Sequence, residues 1–140
     1  MPRLSERVFA ALADPAERAE LGNAIETAAL IYDETDFRVG GRDIFRCGAK
    51  RDPQYRSMAT YYDVVPNQRI VSSETVETAR KKLIISMSTT TLEPQGASTK
   101  VTVTTQLISL AGDDMINGVE VGQNASLDNL VEAMRGPTTL

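Results

Sequence analysis

Apolar positions recur every three or four residues at both ends of the chain and every second residue in between. Over SERVFAALADP the spacing of Val8, Phe9 and Leu12 predicts a helix, with Ser5 as its cap. Asp14-Pro15 ends that helix, because a residue before proline avoids helical angles. PAERAELGN predicts a second short helix that stops at Gly22 and Asn23. From residue 28 the period is two. AALIYDETDFRV, RDIFRCGAK, QYRSMATYYDVV, QRIVSSETVET, KKLIISMSTTTLEP and TKVTVTTQLISL read as six strands separated by turn residues. After Gly112 the helical period returns over about residues 113–135. Ile116, Val119, Leu127, Leu130 and Met134 fall on one face there. Gly118 and Gly122 interrupt that helix; they weaken it and permit close approach of another element. Residues 136–140 read as a frayed tail.

The order is helix, helix, six strands, long helix. Strands alternate with turns and not with helices, so the class is α+β with an antiparallel sheet. The long helix carries an apolar stripe that must pack on one face of the sheet. A length of 140 residues suits one domain over 1–140. The stretch DFRVGGRDIF tests this reading. A phosphate loop needs a strand before its glycines and a helix after them. RDIFRC is strand-like, so Gly40 and Gly41 are expected in a two-residue hairpin turn.

Composition removes several function classes. The net charge is −4 and no basic block occurs, which argues against a nucleic-acid partner. No apolar run approaches the roughly 18 residues of a membrane span, and MPRLSERVFAAL does not read as a secretory signal. Cys47 is the single cysteine, which excludes an internal disulfide and suits the cytoplasm. There is no histidine, so Ser-His-Asp and Cys-His catalysis and the commonest zinc ligand are absent.

RVFAALADP, DFRVGG, YYDVVPNQRIVSSE, TLEPQGAST and GQNASLDNL, taken in that order, resemble the START-like, or SRPBCC, superfamily. They are most similar to its branch named for activators of the heat-shock-protein-90 ATPase. The resemblance covers nearly the whole chain. It implies a helix-grip fold, in which a curved antiparallel sheet wraps a long C-terminal helix and a cavity lies between them. The superfamily includes lipid carriers, hormone receptors, polyketide cyclases and co-chaperones, so fold alone does not assign function. Three departures stand out. Only MPRLSE precedes RVFAAL, where the family has a first strand. No tryptophan follows ADP. KKLIISMSTTTL is polar where relatives are often apolar.

Strand alternation sorts residues by face. Leu92 inward brings Thr90, Ser88, Ser86 and Ile84 with it, and the last strand sends Val101, Val103, Thr105 and Leu107 inward. Phe45 inward brings Asp43 and Cys47. Combined with the implied cavity, this gives a candidate ligand-binding set of Asp43, Phe45, Tyr61, Ser86, Ser88, Val103, Thr105 and Glu120. Asp43 and Glu120 as a pair would suit a cation or acid–base work; the alternative is that both are solvated or paired with Arg42 or Arg46. Tyr61 presents its hydroxyl to a ligand or packs in the core. Cys47, without a histidine, reads as inert. Asp33, Glu34 and Asp36 lack the spacing of a calcium loop, and no metal or cofactor is expected. Arg80, Lys81 and Lys82 read as a solvated turn. Leu83, Ile85 and Met87 fall on the outer face, and the missing first strand would leave an edge unpaired; both point to a homodimer. The functional expectation is binding of a small hydrophobic or amphipathic molecule. The alternatives are a co-chaperone-like interaction module and a cofactor-free cyclase or hydratase using Asp43, Glu120 and Tyr61.

Overall fold

A computed structural model describes residues 3–22, 28–79 and 81–135. Two helices, α1 (Leu4–Ala13) and α2 (Pro15–Gly22), precede six strands: β1 (Ala28–Glu34), β2 (Arg42–Ala49), β3 (Asp52–Val65), β4 (Arg69–Thr78), β5 (Lys81–Gln95) and β6 (Ser98–Ser109). The helix α3 (Asp113–Arg135) follows. The strands form one curved antiparallel sheet in the order β1-β2-β3-β4-β5-β6, with α3 against it, which is the helix-grip arrangement. Asn23, residues 136–140 and Arg80 lie outside the described residues, and so do the expectations placed on them.

Local chemistry explains most boundaries. Asp14 serves two helices at once. Its N–H donates to the Ala10 carbonyl at the end of α1, and its carboxylate accepts from the Ala16 N–H at 2.9 Å at the start of α2. Ser5 does not cap α1. The helix starts two residues earlier, with Arg3 in the cap position, so Ser5 lies in its first turn, is buried, and meets the Thr99 hydroxyl at 3.1 Å. Between β3 and β4, Pro66 and Asn67 occupy the two central turn positions, and asparagine tolerates the positive φ of 67° there.

The glycine pair sits in a turn, but not in a two-residue hairpin. β1 ends at Glu34 and β2 begins at Arg42, so the connection spans 35–41. Within it the Gly41 N–H donates to the Arg38 carbonyl at 2.8 Å, and Gly40 takes a φ of 83° at the third turn position. Gly41 is required for space: a Cβ there would lie 2.1 Å from the Asp36 carbonyl oxygen. No helix follows, so no phosphate loop exists.

The apolar core is divided. One cluster, Val8, Ala11, Leu92 and Leu130, joins α1 to the C-terminal half of α3. The other, Val76, Leu83 and Ile84, meets Met115 and Val119 at the start of α3. The serines and threonines of central β5 cannot supply a continuous apolar core between them. Leu83 departs from simple alternation. The β4–β5 register shifts beside it, so Leu83 and Ile84 both turn inward, and Leu83 is only 7% exposed. Ile85 and Met87 remain on the outer face and are exposed.

Candidate functional site

The register defines the inner face of the sheet, because directly paired residues share a side. Tyr32, Phe45, Ser57, Val76 and Ile84 lie in one continuous row from β1 to β5. The next row carries Asp43, Ala59, Glu74, Ser86 and Leu107. Ser72, Ser88 and Thr105 follow in another. Between these rows and α3 lies a cleft of about 820 Å³, of the size that holds small organic ligands.

The helix contributes space to this cleft. Gly118 and Gly122 line it, and a Cβ added to either would meet nothing within 4 Å. Their expected role, close packing of another element, is therefore corrected: they face open volume. Ile116 is partly exposed, and Met115 packs against the sheet in its place. Polar groups cross the gap at one point. The Gln123 side-chain amide donates to the Thr105 hydroxyl at 3.2 Å, and Thr105 meets the Ser88 hydroxyl at 3.0 Å. Asn129 donates to the Leu21 carbonyl at 2.8 Å and ties α3 to α2.

Of the predicted ligand set, Phe45, Ser86, Ser88 and Thr105 line this cleft. Val103 lies on the same sheet face, opposite Thr90, but outside the lining. Glu120 does not approach it. The side chain is exposed on the far side of α3, while Val119, Gly122 and Gln123 face inward. The proposed Asp43 and Glu120 pair is thus not formed.

Asp43 and Tyr61 belong to a separate buried cluster. Asp43 is 1% exposed and accepts from the Arg18 guanidinium and the Tyr61 hydroxyl. Arg18 also donates to the Tyr61 oxygen at 2.7 Å. The guanidinium carbon stands 4.8 Å from the Tyr32 ring centre and 5.8 Å from that of Phe37. Phe37 in turn meets Tyr61 edge-on at 4.9 Å. The 35–41 connection is fastened here, since the Gly40 N–H donates to the Tyr61 carbonyl and the Tyr61 N–H to the Gly41 carbonyl. Asp43 is therefore neither solvated nor paired with its neighbours. Arg42 pairs with Glu34 and Arg46 with Asp33 on the outer side. Burial raises the Tyr61 hydroxyl above its ordinary pKa, and its bond to Asp43 adds to this. Burial pushes the Tyr32 hydroxyl up to about 12, against the opposing effect of Arg18. This cluster is a polar clamp between α2 and the first strands.

Glu74, which sequence reasoning passed over, is the carboxylate that the sheet contributes to the cleft. It stands on central β4 opposite Ala59 and Ser86, and its remaining accessible surface faces the cleft. Burial pushes its carboxyl up to about 7. Burial also raises the Cys47 thiol, and the charge of Glu74 adds to the effect, while the Ser57 hydroxyl beside it works the other way. A signal was available: in SSETVET the inward Val76 places Glu74 on the same face, two residues away. Among the described residues no group of three or more carboxylates and thiols is arranged to hold a metal ion.

Solved structures are similar in fold. The Mll3558 protein of Rhizobium loti is 32% identical, with 93% of this chain and 88% of that one covered and a TM-score of 0.78. A protein of Rhizobium leguminosarum is 28% identical, with 95% and 88% covered and a TM-score of 0.79. CV1439 of Chromobacterium violaceum, at 24% identity, 95% and 90% coverage and a TM-score of 0.81, shows the likeness of fold alone. Among curated proteins no match is found. The family model for activator of Hsp90 ATPase homolog 1-like proteins matches residues 4–135. With sheet, grip helix and intervening cleft in place over that whole span, the chain belongs to the activator of Hsp90 ATPase homolog 1-like family, within the START-like superfamily.

Proposed function

We propose that the protein binds a small amphipathic organic molecule in the cleft between the sheet and α3, without a cofactor, and works in the cytoplasm. One observation carries the reading. Two glycines in the middle of a 23-residue helix face open volume. Glycine weakens a helix interior by about 1 kcal/mol relative to alanine. Packing does not require these glycines, but room for a guest does. The divided core supports the same reading, because apolar clusters hold the ends of the cleft and leave its middle unfilled. The test is a thermal-shift screen of amphipathic compounds. A ligand at 100 times its dissociation constant stabilises by about 2.7 kcal/mol. If Ser88→Phe, which projects into the cleft, leaves a hit's shift unchanged, the site is misassigned.

A second reading, self-association, is favoured by the outer face. Ile44, Met58, Thr75, Ile85 and Ile108 are successive partners across β2 to β6. Met58, Ile85 and Ile108 are exposed. We propose that this band is the contact of a homodimer. An exposed apolar stripe of this kind marks interaction surfaces. No helix among the described residues is long and apolar enough to cross a membrane.

A further inference from the structure

We propose that the guest of the cleft is an amphipathic cation, a protonated or quaternary amine on an apolar body, with its charge against Glu74. The inference rests on the ligand-binding reading and narrows it.

The lining of the cleft contains two carboxylates, Glu74 at its centre and Asp114 on the first turn of α3, and neither lysine nor arginine. None of the ion pairs among the described residues includes Glu74. The pairing explains why. Its cross-strand neighbours are Ala59 and Ser86, which cannot neutralise it. The ionisable groups that face it from the packed elements are Tyr32 of β1, Cys47 of β2, Tyr55 of β3 and Asp114 of α3. Not one is a cation. Arg18 lies beyond Tyr32 and is already held by Asp43.

A carboxylate taken out of water without a partner is unfavourable, so Glu74 holds its proton to about pH 7. A cation supplies the missing partner and lets the carboxylate ionise. Phe45 and Tyr55 add aromatic surface to the same lining. Leu30, Val76, Ile84 and Val119 receive an apolar body. An anionic guest meets the reverse situation, with Glu74 and Asp114 both repelling it.

The experiment compares 4-phenylbutylamine, 4-phenylbutanol and 4-phenylbutanoate by calorimetric titration against the unaltered protein and Glu74→Gln. At pH 8 the amine should bind about tenfold or more tighter than the alcohol, as expected of a charge-assisted hydrogen bond. With the carboxyl titrating near 7, amine affinity should rise about tenfold from pH 6 to pH 8 while alcohol affinity stays level. Glu74→Gln should abolish both the preference and the pH dependence and leave alcohol binding in place. Alcohol or carboxylate binding as tightly as the amine overturns the cation proposal and leaves the ligand-binding reading standing. So does an amine affinity that rises with neither pH nor the presence of Glu74, a result that the pH series on the unaltered protein gives without any variant. Failure of all three compounds to bind overturns the ligand-binding reading and the cation proposal together.

Discussion

Asp43 of β2 and Arg18 of α2, twenty-five positions apart, form a buried ion pair that the Tyr61 hydroxyl completes. The pair fastens the second helix to the sheet. Removing one partner of such a pair leaves a buried charge uncompensated, at about 3–5 kcal/mol. Asp43→Ala should therefore lower stability in urea unfolding by about that amount. Replacing both partners with apolar groups, as in Arg18→Met with Asp43→Leu, should lose less than the sum of the single changes. An Asp43→Ala loss below about 1 kcal/mol, the level of an exposed pair, would contradict the burial.

Glu74 makes stability depend on pH in a defined direction. Its folded-state carboxyl titrates at about 7, against an ordinary value of 4.5. The folded protein holds this proton more tightly than the unfolded chain does. Stability from this group is then fully present below about pH 4.5 and is lost as pH rises to about 7. The loss is at most about 3 kcal/mol. Glu74→Gln should flatten this part of the profile, so that the variant gains on the parent between pH 5 and pH 8. Parallel profiles for the two proteins would show that Glu74 is not desolvated.

Gly118 and Gly122 separate stability from binding. Alanine at either position meets no neighbour within 4 Å and restores helix propensity. Each change should raise stability by about 1 kcal/mol, seen as a higher Tm. Gly122→Leu should keep the fold and exclude a guest that the parent binds. A drop in Tm for both alanine variants would mean that the cleft is narrower than described.

The outer band predicts an association state. Lysine at Ile85 and at Ile108 places two charges in the middle of the exposed row. Light scattering at micromolar concentration should find a dimer for the parent and a monomer for the double variant, with circular dichroism unchanged. A monomeric parent sinks the homodimer proposal.

The hairpin predicts the effect of one methyl group. A Cβ at Gly41 would fall 2.1 Å from the Asp36 carbonyl, a distance that flexible side-chain movement cannot relieve. Gly41→Ala should cost stability even though Gly41 itself has no positive φ, and it should loosen the Tyr61 backbone bonds to this connection. Hydrogen exchange at the Tyr61 amide reports it: protection equal to that of the parent would show that the connection adjusts freely.

The periods of two and 3.6 are enough to order the helices and strands of the described residues, bound α3, and assign inward faces to Ser86, Ser88 and Thr105, because side-chain direction in a regular element follows from spacing alone. Spacing fails where the ladder shifts: the irregularity beside Leu83 turned inward a residue that alternation sends out. It also fails for helices that touch several elements, which is why Glu120, expected among the ligand residues, stands away from the cleft, while Met115, outside the expected stripe, lines it. Tertiary structure alone brought Arg18 to Asp43 and so turned a candidate ligand residue into part of a clamp. It alone set the Glu74 carboxyl between cross-strand partners, Ala59 and Ser86, that offer it no cation. Partners of a charged side chain come from distant segments whose meeting depends on how the sheet folds onto its helices, and local pattern carries no record of it.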